Sequence, residues 1–182
     1  MTRLIGRAVG KEQRADELIA KTRQTFSDVR LRHPDWAERT AVAAYHYGSE
    51  TGFFASSDTR GHFLTELGFQ PSGAARRLDG SSAFYQNLPA EDLSALEADV
   101  ILWVSSVDAD DDLAKLPMRK VLKAHIEGRE VFAGGLVAAA ISFGSVLSMP
   151  FAVSELEADI AAAADGDPKT AVPSAVRAGL AP

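Results

Sequence analysis

Residues 88–104, Leu88-Pro89-Ala90-Glu91-Asp92-Leu93-Ser94-Ala95-Leu96-Glu97-Ala98-Asp99-Val100-Ile101-Leu102-Trp103-Val104, decide the fold class. Pro89 followed by Glu91 and Asp92 reads as a helix start, because proline suits the first turn and acids complement its exposed N–H groups. Leu93 and Leu96 give that helix one apolar face, and Glu97-Ala98-Asp99 is a polar turn. Val100 to Val104 is then an unbroken apolar run. Such runs are strands covered on both faces, as in the parallel sheets of α/β proteins. Ser105-Ser106 follows, small and polar, where a strand runs out into a functional loop.

Outward from this unit the chain alternates. Lys11 to Arg32 carries Ala15, Leu18, Ile19, Thr22, Phe26 and Val29 at helical spacing and stops at His33-Pro34. Thr40 to Tyr47 (TAVAAYHY) reads as the first strand, Gly48 to Ser57 as a loop, and Asp58 to Leu67 as a helix capped by Gly68. Phe69 to Ser82 reads as a loop. Beyond the central unit come an acidic loop (Asp108 to Asp112), a helix (Met118 to His125) and a short strand (Arg129 to Ala133). Ser145 to Ala164 is the last helix, with Leu147, Phe151, Leu156 and Ile160 as its buried side. Residues 165–182, rich in Gly, Pro and Ala, read as a poorly ordered tail. The order predicts a three-layer αβα sandwich with a mainly parallel sheet. Ligands of such sheets bind beyond the carboxyl ends of the strands. Here those ends are Tyr45-His46-Tyr47, Trp103 to Ser106 and Phe132 to Gly134.

Composition narrows the function. The chain has 182 residues, 46% hydrophobic and 24% charged, sufficient for one domain with a sizeable core. A net charge of −6 without a Lys/Arg cluster argues against a nucleic-acid partner. There is no cysteine, so disulfides and thiolate metal sites are excluded. Met1 to Arg7 lacks the apolar core of a signal peptide, and the Ala133–Ile141 run is too short to span a bilayer. His33, His46, His62 and His125 show no metal-ligand spacing. No nucleophile elbow, phosphate-binding loop or dinucleotide fingerprint is complete, so the chain reads as non-enzymatic.

Four stretches together resemble the carboxyl-terminal lobe of the periplasmic binding proteins that deliver ferric siderophores, haem or cobalamin to ABC importers. They are Ile5 to Glu12 with Ala15 and Leu18-Ile19; Phe63 to Phe69; Leu88 to Leu93 with Ala98 to Ile101; and Leu116 to Met118 with Gly128 to Phe132. The resemblance covers residues 4 to 164. It implies a single solute-binding lobe over 1–164, whose amino-terminal partner lobe is missing, in a protein that is extracytoplasmic at full length. It implies a ferric siderophore as ligand, with haem as the alternative, an ABC permease as partner, and no cofactor. A lobe without its partner could instead be a self-associating module, a homodimer through the uncovered surface.

Given a ferric chelate, aromatic rings near the strand ends supply the amphipathic contact it needs. Tyr45, Tyr47, Phe53 and Trp103 are the candidates, with Phe54; for Phe54 and Trp103 a core position competes. Arg60, at a helix start where a cation opposes the helix dipole, points to an anionic partner, or is simply solvated. His46 between two tyrosines is a candidate haem ligand against a plain packing role. In the family an exposed acid on each lobe pairs with permease arginines, and Glu91 occupies the matching position.

Overall fold

The computed structural model describes residues 1–105 and 110–182. The strand expected from the apolar run, Val100–Trp103, lies beside the central strand of the sheet. Strand β1 (Thr40–Tyr47) lies between a hairpin partner, β2 (Glu50–Phe54), and the fully buried β5 (Val100–Trp103). The short β3 (Gln70–Pro71) also pairs with β1, β4 (Tyr85–Leu88) pairs with β2, and β6 (Glu130–Phe132) pairs with β5. The order is β4-β2-β1-β5-β6, with β3 beside the start of β1. The β1–β5 and β5–β6 pairings are parallel, as expected, and so is β1–β3; β1–β2 and β2–β4 are antiparallel.

Helices flank the sheet. They are α1 (Thr2–Ala8), α2 (Glu12–Arg32), α3 (Thr59–Glu66), α4 (Gly73–Leu78), α5 (Asp110–Ala114), α6 (Lys123–Ile126), α7 (Gly134–Ser142), α8 (Ser148–Ala163) and α9 (Pro173–Arg177). The core runs through both sides of the sheet: Phe26 meets Phe63 edge-on at 5.9 Å, and Trp36 stacks on Phe69 at 4.8 Å.

Several expectations are corrected. The first half of 88–104 is not a helix. Leu88 ends β4, Pro89–Asp92 is a turn, and only a 3-10 turn, Ser94–Leu96, follows. Leu93 and Leu96 are nevertheless buried, and Asp92 accepts from the Ser94 N–H at 2.9 Å. The segment 48–57, read as a loop, contains β2, turned by Gly48 at φ +61°, the positive value that a two-residue hairpin turn requires. Residues 69–82 hold β3 and α4. The helix expected over 118–125 is a 3-10 turn (Pro117–Val121) followed by α6, and α7 was not foreseen. In α8 Leu156 and Ile160 are buried, but Phe151 and, just before the helix, Leu147 are exposed. Of the acidic loop, Asp108 and Ala109 lie outside the described residues, and Asp110–Ala114 is helical.

The poorly ordered tail is also corrected. Val172, Ser174, Ala175 and Leu180 are buried. Buried Asp159 accepts from the Ser174 N–H at 2.8 Å and pairs with Arg177 at 3.2 Å. Ser174 Oγ accepts the Phe132 N–H at the edge of β6. Arg119, fully buried, donates to the Leu180 carbonyl at 2.6 Å and holds Glu130 through two bonds at 2.9 and 2.8 Å.

Candidate functional site

Strand alternation sorts the expected site residues onto two faces of the sheet. Tyr45 stands opposite Gly52, and Gly52 opposite Asn87. A side chain at Gly52 would collide with the Tyr45 ring and the Gln86 carbonyl, so glycine is what lets that ring lie across β2. The Tyr45 hydroxyl donates to Asn87 Oδ1. Its ring centroid lies 4.9 Å from Phe54 and 6.1 Å from Tyr85, which pair with one another across β2 and β4. Arg60 of α3 lies over Phe54, its guanidinium carbon 3.8 Å from the ring centre. Tyr47, on the same side by alternation, is 72% exposed; Tyr85 and the neighbouring Phe84 are also exposed. This face therefore carries Tyr45, Phe54, Tyr85 and Arg60 as one cluster, with Tyr47 at the strand end.

Phe53 and Trp103 do not join it. Both align with Ala44 on the opposite face, and both are 1% exposed. Trp103 Nε1 donates to Glu130 at 2.8 Å. Phe53 lies at the base of a half-open pocket of about 170 Å³ with Ala74, Arg77, Leu78, Gln86 and Ala95. The two are core residues, and the competing reading of Trp103 prevails. Phe54, for which the core was the alternative, is buried yet stacked within the cluster.

His46 also points away from Tyr45. It is buried, its Nδ1 lies 2.8 Å from Thr51 Oγ1, and burial pushes its pKa down. It cannot reach a ligand held by the Tyr45 face. Tyr45 is not a phenolate at neutral pH: burial, then the charge of Glu50 and the neighbouring Tyr85, push it up to about 12, against Arg60.

Arg60 is not an uncommitted cation. Its Nε and Nη2 hold Asp58 Oδ1 and Oδ2 at 2.6 and 2.9 Å. Asp58 is also the cap of α3, accepting the Arg60 backbone N–H at 3.0 Å. Glu91 is exposed in the turn before Ser94–Leu96, outside any helix.

Tyr85 and Asn87 were missed by the sequence reading, as β4 was. The available signal was Gly48-Ser49 between two apolar runs, a hairpin signature that turns 50–54 into a strand needing a partner. The opposite end of the sheet holds a charged cavity of about 220 Å³ between Arg39, Asp99, Lys123, Glu127 and Arg129. Within it Arg129 pairs with Glu127 at 2.9 Å and Asp99 accepts from Thr40 at 2.7 Å. Among the described residues no three His, Asp or Glu side chains group to hold a metal ion, and no helix is long and apolar enough to cross a membrane.

Comparison with known proteins gives the following. A family model described as a periplasmic binding protein matches residues 1–134. No curated protein matches the chain. A periplasmic solute binding protein from Mycobacterium smegmatis superposes with a TM-score of 0.72 at 26% identity, over 87% of this chain and 53% of that one. PiaA of Streptococcus pneumoniae, solved in complex with ferrichrome, gives 0.68 at 20% identity, over 91% and 58%. SirA of Staphylococcus aureus, complexed with staphyloferrin B, gives 0.69 at 20% identity, over 85% and 57%. The last two share the fold. The chain spans little more than half the length of each.

Proposed function

This chain belongs to the periplasmic binding protein family, and from that premise we propose that it is a solute-binding lobe whose ligand is a ferric siderophore. The carrying observation is the Tyr45–Phe54–Tyr85 surface with Arg60 packed on it, beside the exposed Tyr47 at the carboxyl end of β1. Aromatic edges and faces with a few polar tips suit a chelate that is apolar outside and polar at its core. The proposed contact residues are Tyr45, Tyr47 and Arg60 from the sequence reading, with Tyr85 added; buried Phe54 supports them from beneath, and Phe53 and Trp103 are removed. Two structural neighbours, solved with ferrichrome and with staphyloferrin B, agree with this ligand class.

The patch is an open surface, which fits a half-site covered by a second lobe. Leu4, Ile5 and Val9 of the α1 region are likewise exposed, an apolar stripe that supports either that lobe or a second copy as its cover. In this reading residues 1–164 are the carboxyl-terminal lobe, and 165–182 pack onto the same body. The full protein acts outside the cytoplasm and delivers to an ABC permease, with Glu91 as this lobe's docking acid. Haem is the weaker alternative, because His46 is buried on the other face and the Tyr45 hydroxyl is engaged by Asn87.

The test is a titration with ferric siderophores, read by quenching of protein fluorescence, in wild type and Tyr85→Ala. Tyr85 is more than half exposed, so its removal leaves the core intact. Loss of one stacked ring is expected to weaken binding about three- to tenfold. Equal affinity in both proteins removes the patch as the site; no saturable quenching with any chelate removes the ligand assignment.

A further inference from the structure

The charges around the aromatic patch decide which chelate it accepts. Arg60 is the cation packed on the rings, yet its charge is already matched. Both Asp58 oxygens meet the guanidinium edge, at 2.6 and 2.9 Å, in the bidentate geometry that makes this pair strong. The pair is partly screened from water, with side-chain exposures of 28% for Arg60 and 10% for Asp58. It is also fixed in place, because Asp58 Oδ1 caps α3 through the Arg60 N–H at 3.0 Å. Burial pushes the Asp58 carboxyl up, but the bonds from Arg60 outweigh it and hold the group below its ordinary value. Two further acids stand nearby. Glu50 faces Tyr47 across the hairpin, and its charge acts on the Tyr45 phenol. Asp79 accepts from Ser56 Oγ and, at 3.0 Å, from the Ser57 N–H, directly before Asp58. His62, the next basic group on α3, lies 3.3 Å from Glu66. The patch thus combines rings with a neutralised cation and a surplus of carboxylate.

We infer that the chelate held by this patch carries no net negative charge and is a ferric trihydroxamate, not a ferric tris-catecholate or carboxylate. The inference rests on the siderophore reading above and reverses what Arg60 suggests in the sequence alone. Three hydroxamates, each singly negative, balance iron(III) and leave a neutral complex whose linkers lie against the rings. Three doubly negative catecholates leave three uncompensated charges. These would approach Asp58, Glu50 and Asp79 with Arg60 already matched, and like charges at such separations repel.

The experiment titrates the 182-residue chain with ferrichrome, a neutral ferric trihydroxamate, and with ferric enterobactin, a triply negative tris-catecholate. It is done in wild type and in Asp58→Asn. Asparagine keeps an oxygen to cap α3 while releasing the charge of Arg60; an unchanged melting curve confirms the fold. Wild type is expected to prefer ferrichrome at least tenfold, and Asp58→Asn to narrow that ratio by roughly tenfold through a gain in catecholate affinity. Wild type binding the catecholate as tightly as ferrichrome overturns the inference and leaves the siderophore reading standing. A preference unmoved by Asp58→Asn in a folded protein overturns the role of the pair. Saturation by neither chelate, nor by a ferric carboxylate, removes both readings.

Discussion

At the scale of single residues, the site depends on a residue with no side chain. Gly52 leaves the gap across which Tyr45 reaches Asn87. Gly52→Ala must displace the Tyr45 ring or the β4 backbone. Overpacking of this kind destabilises by about 1–3 kcal/mol. Chemical denaturation should show that loss, and chelate binding should fall with it; a variant as stable as wild type that binds normally would mean that Tyr45 does not shape the site. Half of this geometry was legible beforehand. Alternation in TAVAAYHY already sets Tyr45 and Tyr47 on one face and His46 on the other. Phe53 and Phe54 were harder. Adjacent residues of a strand face opposite ways, so only one can join Tyr45, and the choice follows from register. Reading 48–57 as a loop conceals that register, which sets Phe54 and not Phe53 on the Tyr45 face. Asp58 and Arg60 stand two apart in the sequence, but their pairing depends on the cap conformation of α3, which spacing alone does not reveal.

At the scale of elements, the parallel core was legible because its signals are local: an apolar run for β5, alternation for β1, helical spacing for α2. What failed was whatever only tertiary contact orders. Residues 165–182 have the composition of a linker, yet they are held by partners far away in sequence. The pin is a buried cluster: Glu130 accepts from Arg119, from Trp103 Nε1 at 2.8 Å and lies 2.7 Å from His125 Nδ1, while Arg119 also holds the Leu180 carbonyl. Burial by itself would raise the Glu130 pKa, but the bonds from His125, Arg119 and Trp103 prevail and hold it below the ordinary carboxylate value. A carboxyl depressed in the folded state contributes stability above its unfolded pKa, and that contribution fades as pH falls through the folded value. Glu130→Gln leaves Arg119 buried without its counter-charge, expected to cost about 3–5 kcal/mol near neutral pH. The variant's stability should also fall less steeply than wild type on acidification, because this carboxyl no longer titrates. Urea denaturation at neutral and acid pH measures both; parallel pH profiles would show that Glu130 contributes nothing to the acid limb.

At the scale of the whole molecule, one acid separates a local from an external role. In the sequence, Glu91 had two explanations, favourable placement in the first turn of a helix and docking to a permease. The structure removes the first. No α-helix begins at Pro89, Glu91 is exposed in a turn, and it is Asp92 that accepts the nearby Ser94 N–H. A surface carboxylate without such a role should be nearly neutral for folding, within about 0.5 kcal/mol on substitution. If it docks, Glu91→Gln leaves a permease arginine without its counter-charge, and loss of one partner of a buried interfacial charge pair costs about 2–5 kcal/mol of association. The substitution belongs in a full-length two-lobed protein carrying this lobe, with transport, permease affinity, chelate affinity and melting temperature measured side by side. Transport and permease affinity should fall while chelate affinity and melting temperature hold. Should transport persist and the melting temperature drop, Glu91 supports the 89–96 turn and the docking surface of this lobe lies elsewhere.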